Sequence, residues 1–128
     1  MREFVSLKDV SPRTLHGNHD GNGPIAFRRL LDESDFSSPI DFVDFTIIPP
    51  GSTIGTHRHV GNDEIYFIVQ GRPRVAVDGN ERRLEPGAVA IVRSGQTHCL
   101  VNDSSDEVKI LVIQVRHTPE RALPSAET

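Results

Sequence analysis

Apolar residues in this chain come in runs of four to eight positions, each closed by glycine, proline or a polar turn. The run 42–48 stops at Pro49, Pro50 and Gly51, and the run 64–69 stops just before Gly71. Residues 74–77 lead into Asp78-Gly79, a pair that accepts the positive φ angles of a two-residue hairpin. Residues 88–92 lie between Gly87 and Ser94-Gly95, residues 98–101 end at Asn102, and 108–115 form the longest run. An earlier stretch, 26–31, reads as a further strand. The runs are too short for helices, and none carries the three- and four-residue apolar repeat of an amphipathic helix. Residues 6–10 could close a single helical turn. Short strands at near-regular spacing predict an all-β chain, folded as an antiparallel sandwich or barrel.

Two segments stand apart. Residues 17–23 are glycine-rich and polar, and residues 118–128 hold two prolines and little apolar content. The expected organisation is an N-terminal arm and polar loop over 1–25, one β-barrel domain over 26–116, and a flexible tail over 117–128. A chain of 128 residues is long enough to bury a core by itself.

Charge narrows the function. Fourteen basic residues against 18 acidic ones give a net charge of −4, and the basic tract 72–83 is interrupted by Asp78 and Glu81. That excludes a general nucleic-acid binder, which needs a basic stripe to displace counterions. No apolar stretch approaches the ~20 residues of a membrane span. Residues 1–10 carry four charges and no apolar signal core. The lone cysteine, Cys99, rules out an internal disulfide framework. Together these features predict a cytoplasmic protein.

The candidate chemistry is metal binding. His57 and His59 are two apart, so on a strand they share a face. Glu64 opens the next run and His98 opens another, about forty residues on. Three imidazoles and one carboxylate suit one divalent ion such as iron, manganese, nickel or zinc. The competing reading is four histidine and glutamate side chains with no metal. Four protein ligands leave an ion that prefers six free to take substrate, which is the arrangement of a catalytic metal.

The spacing resembles the cupin superfamily. Gly51, His57, His59, Glu64 and Gly71 match every position of the first cupin motif, and Gly87, Gly95, His98 and Asn102 match the second. Arg93 stands where that second motif carries proline, a change that touches loop stiffness and no ligand position. The two motifs and their spacer cover residues 51–102. The resemblance implies a small antiparallel jelly-roll barrel with His57, His59, Glu64 and His98 holding the metal inside. It leaves the reaction open, since cupins include dioxygenases, isomerases, epimerases, lyases, decarboxylases and non-catalytic binding domains.

Other residues are weighed by strand logic. Tyr66, two past Glu64, shares its face and is the candidate catalytic acid or base; it could equally be an aromatic wall residue. A nearby cation would favour its phenolate and an apolar wall would oppose it; the cation's charge is expected to prevail. Gln114 shares a face with Val108, Ile110 and Val112, and could orient substrate or sit at the rim. Arg28 and Arg29 must point to opposite faces. Arg29 is carried as the candidate clamp for a substrate carboxylate or phosphate, against a solvent or subunit-contact role for both. Cys99 should face away from the metal. His16 and His19 lie in or beside the polar loop and could form a lid, though a plain loop suffices. Arg93 reads as a solvated loop charge, and His117 has no assigned role.

The expected activity is a small metal-dependent enzyme moving protons on a small polar metabolite, by isomerisation, epimerisation, dehydration or lyase cleavage. A metal-dependent dioxygenase and a non-catalytic ligand-binding or sensor module are the alternatives. Phe27, Leu30 and Leu31 need cover, and small cupins commonly exchange N-terminal strands, so a homodimer is expected.

Overall fold

A computed structural model describes residues 3–117, so the expected tail from Thr118 onward lies outside the described residues. Ten strands form two antiparallel sheets: β1 (Arg13–His16), β2 (Pro24–Asp32), β3 (Ile40–Ile48), β4 (Thr53–Arg58), β5 (Asn62–Gln70), β6 (Arg74–Val77), β7 (Asn80–Arg83), β8 (Val89–Val92), β9 (Thr97–Val101) and β10 (Val108–Arg116). Short 3-10 turns at Leu7–Asp9, Asn18–Asp20 and Glu33–Asp35 are the helical elements among the described residues. The larger sheet has the order β1-β2-β3-β10-β5-β8 and the smaller one β4-β9-β6-β7. This is the expected all-β jelly roll. Its hydrogen bonds run within two facing sheets and not around one continuous barrel.

The strands form where the apolar runs predict them, with three additions. β1, β4 and β7 come from segments with little apolar signal, and every residue of β1 and β7 is exposed. β7 exists because the Asp78-Gly79 turn, with φ of 49° and 79°, folds it back onto β6. β1 lies inside the segment expected to be an arm, and it pairs with β2 of the same chain.

The core lies between the sheets. Ile48, Ile68, Val108 and Ile110 of the large sheet and Leu100 of the small one are fully buried, with Ile25, Ile54 and Val75 packed against them. Each such side chain contributes about 1.5–3 kcal/mol by leaving water. Asn102, also fully buried, donates to the Ile48 and Asp106 carbonyls at 2.9 and 2.8 Å and accepts from Ser104. The motif asparagine therefore fastens the β9–β10 loop to β3, satisfying buried carbonyls that would otherwise be orphaned.

The outer face of the large sheet is also apolar. Phe45, Leu111, Phe67 and Val89 form one cross-strand row, and Val43, Ile113, Ile65 and Ile91 form the next. Phe67, Val69, Val89 and Ile91 are 39–57% exposed. Most antiparallel sheets with a solvated face carry polar residues there.

Candidate metal centre

The site forms where the small sheet meets β5. β4 and β9 pair so that His57 and His98 stand directly opposite each other. β4 ends at Arg58, but the His59 amide still donates to the Gln96 carbonyl at 3.0 Å, which keeps His59 against the loop entering β9. From the large sheet, β5 turns Glu64 and Tyr66 inward. His59, Glu64 and His98 are buried and His57 is half-buried.

Their donor atoms converge. His98 Nε2 lies 2.9 Å from His59 Nε2 and 3.0 Å from His57 Nε2. Glu64 Oε1 lies 3.2 Å from His59 Nε2 and 3.6 Å from His98 Nε2. Neighbouring ligands held ~2.1 Å from one ion lie about 3 Å apart, so the spacing fits a single centre. The tautomers agree. His57 Nδ1 faces the Gly55 carbonyl at 2.9 Å and His59 Nδ1 faces Asn62 Oδ1. Both acceptors hold the proton on Nδ1 and leave the Nε2 lone pair facing the cluster. Burial, reinforced by the three other imidazoles nearby, drops His98 to a pKa of about 3, so it is neutral at pH 7. Three imidazole nitrogens converge beside a buried carboxylate, an arrangement in which one divalent cation can satisfy all four groups. His57, His59, Glu64 and His98 thus fit a metal site.

A cavity of about 500 Å³ opens over the cluster. Tyr66 forms part of its wall, 3% exposed, with its ring centroid 5.2 Å from that of His98. Burial pushes its hydroxyl well above the ordinary tyrosine range, and the negative charge of Glu64, to which it hydrogen-bonds, adds to the rise. From the sequence the cation is expected to prevail over the apolar wall. The structure adds the carboxylate, which opposes the phenolate and favours a protonated hydroxyl.

Of the adjacent arginines, Arg29 faces the cavity and Arg28 faces away, donating Nε to the Val10 carbonyl at 2.9 Å. Arg29 is not a free clamp. Its Nε and Nη2 donate to both oxygens of Asp44, at 2.9 and 3.0 Å, and its guanidinium lies 4.3 Å over the Phe42 ring. Gln114 also lines the cavity and donates to Asp41 at 2.9 Å. Cys99 is half-buried on the strand position next to His98. Arg93 is exposed and does not line the cavity. His117 pairs with Asp63 at 3.1 Å.

Sequence reasoning missed Asp44 and Thr46, the buried polar residues of β3 that face this cavity, and gave His19 no firm place. Phe27, expected to need a partner's cover, instead lines the cavity.

The comparisons with known proteins decide the family. A family model described as "Cupin domain" matches residues 44–114, more than half of the chain. The chain is a cupin. It is 25% identical over 109 residues to an oxalate-binding protein of Thermotoga maritima, covering 85% of this chain and 90% of that one. It is 27% identical over 107 residues to the tetracenomycin polyketide synthase protein TcmJ of Streptomyces glaucescens, covering 84% of this cupin and 67% of the relative. Among solved structures, a predicted oxalate decarboxylase from Thermotoga maritima superposes with a TM-score of 0.87 at 23% identity, over 90% of this chain and 100% of that chain. The polyketide cyclase RemF from Streptomyces resistomycificus superposes with a TM-score of 0.76 at 16% identity, over 93% and 82%. These structural likenesses concern the fold. No helix among the described residues is long and apolar enough to cross a membrane.

Proposed function

We propose that this cupin is a metal-dependent enzyme that moves a proton on a small, oxygen-rich metabolite. The observation that carries the reading is one cavity lined by Tyr66 and by three of the four clustered donors, His57, His59 and Glu64, with His98 buried beside them. His57, His59, Glu64 and His98 would hold a divalent ion, which would supply a Lewis acid for a substrate oxygen. Tyr66, kept protonated by burial and by Glu64, donates its proton or a hydrogen bond to the oxygen on which charge develops. Thr46, Gln114 and the Arg29–Asp44 pair offer polar contacts, with Arg29 keeping donor hydrogens that Asp44 does not use. Phe27, Phe42, Ile54 and Val112 form an apolar part of the wall. Similarity to an oxalate-binding protein supports a carboxylate or another chelating oxygen pair as the metal-directed end. Similarity to polyketide synthase proteins, with a cavity far larger than a two-carbon acid fills, supports a substrate with more body than oxalate.

The same oxalate-binding relative favours a second reading, a binding module without turnover. Metal-loaded and chelator-stripped protein, incubated with a panel of hydroxy acids, keto acids and polyphenols and followed by NMR, separates the two. The enzyme reading expects metal-dependent conversion of a panel member. Saturable binding with no conversion under iron, manganese, nickel or zinc would leave the binding module standing instead. Conversion that also consumes dioxygen would assign the chemistry to a dioxygenase.

The protein is also proposed to be a homodimer, formed through the apolar outer face of the large sheet. The two cross-strand rows at that face are larger than scattered surface apolar residues, and a second copy offers the matching surface by two-fold symmetry. Light scattering should give about twice the 14.2 kDa chain mass. Phe67→Lys with Ile91→Lys should return it to the single-chain mass, because both side chains sit in those rows and neither reaches the metal cluster. A wild type that stays at one chain mass at every concentration would contradict the proposal.

A further inference from the structure

A fourth histidine, His19, lies against the three of the metal cluster. The His19 ring stacks on that of His57 with centroids 3.6 Å apart and planes 10° from parallel. It comes from the Asn18–Asp20 turn, outside both cupin motifs. The backbone reaches this position at a cost: His19 and Asp20 both have positive φ, 51° and 62°, in a region that residues with a Cβ rarely occupy. Such strain persists only where the surroundings hold it.

The surroundings do hold it. Asn22 donates to Thr53 Oγ1 at 2.7 Å, and the Thr53 amide donates back to the Asn22 carbonyl at 2.8 Å. A Cβ on Gly55 would fall 1.9 Å from the His19 carbonyl oxygen, and one on Gly21 would fall 2.5 Å from the Thr53 carbonyl. Both positions must therefore be glycine for the turn to dock on β4. That docking matters because β4 is an edge of the small sheet, so His57 has a strand neighbour on one side only. Gly55 thus has two roles, admitting the turn and offering its carbonyl to His57 Nδ1.

We infer that His19 is a positioning residue: its ring clamps the His57 imidazole from the open edge of the sheet, so that Nε2 stays aimed at the metal. The inference rests on the metal reading above. It requires a flat ring at position 19 and no particular nitrogen, because the contact is face to face.

The test is cobalt affinity by competition with a coloured chelator, read together with the visible spectrum of the bound cobalt, for wild type, His19→Ala and His19→Phe. His19→Ala should bind cobalt roughly 10–100-fold more weakly, the range for residues that orient a metal ligand, with an altered spectrum. His19→Phe keeps a ring to stack and should stay within about threefold of wild type with the original spectrum. Wild-type affinity and spectrum in His19→Ala would overturn the inference while leaving the metal site intact. Equal loss in His19→Phe and His19→Ala would also overturn it, since the nitrogen would then be what matters. A wild type that takes up no cobalt would overturn the metal reading and this inference with it.

Discussion

Tyr66→Phe is expected to lower turnover by roughly 10²–10⁴-fold, the usual contribution of one acid–base group, while the protein keeps its full complement of metal. The substitution preserves the ring, which packs 5.2 Å from His98 and belongs to the apolar core cluster. It deletes only the hydroxyl, whose partner is Glu64. The remaining Glu64 contacts, to His59 and His98, are untouched. Metal stoichiometry by elemental analysis and a thermal melt should therefore match wild type. Turnover within a few-fold of wild type would reduce Tyr66 to cavity wall. Loss of metal along with turnover would make it a support for Glu64.

His59→Ala is expected to remove stoichiometric metal without unfolding the chain. His59 is 7% exposed and its Nε2 lies near donor atoms of both Glu64 and His98. Residues behind a ligand already cost 10–100-fold in affinity, so loss of a ligand should exceed ~100-fold. His59 is not part of the apolar cluster built on Ile48, Ile68, Leu100 and Ile110, so that packing survives. The thermal readout follows by linkage. An ion at 1,000 times its Kd stabilises the folded state by about 4 kcal/mol, worth on the order of 10 °C in Tm for a domain of this size. Wild type should show that rise on adding metal and His59→Ala should show little of it. An equal rise in both would place the ion elsewhere.

The four donors were legible in the sequence because metal geometry constrains spacing. His57 lies within β4 and His59 just past its end, Glu64 faces inward from β5, and His98 pairs opposite His57. The fold was legible because turns interrupt the apolar runs. Facing was harder to read. In β3 the alternation of Val43, Phe45 and Ile47 with Asp44 and Thr46 reads naturally as apolar core against polar solvent. The structure reverses it: Asp44 and Thr46 line the cavity, and Val43 and Phe45 stand in the outer rows. A period of two marks two faces but does not say which is inside when the cavity needs polar groups and the outer face is apolar. β1 and β7 left no hydrophobic trace because they are exposed along their whole length. His19 was illegible for another reason. Its place depends on left-handed backbone and on the bare Cα of Gly55, a contact between segments 36 residues apart in sequence.

The central claim is that His57, His59, Glu64 and His98 hold one divalent ion at the base of the cavity. An anomalous-difference map from crystals grown with excess manganese, iron, nickel or zinc, recorded at that metal's absorption edge, tests it most directly. One strong peak is expected per chain, ~2.0–2.3 Å from Nε2 of each of the three histidines and from a Glu64 oxygen. Those four side chains closed on one another with no peak between them, or a strong peak bound elsewhere, would contradict the account.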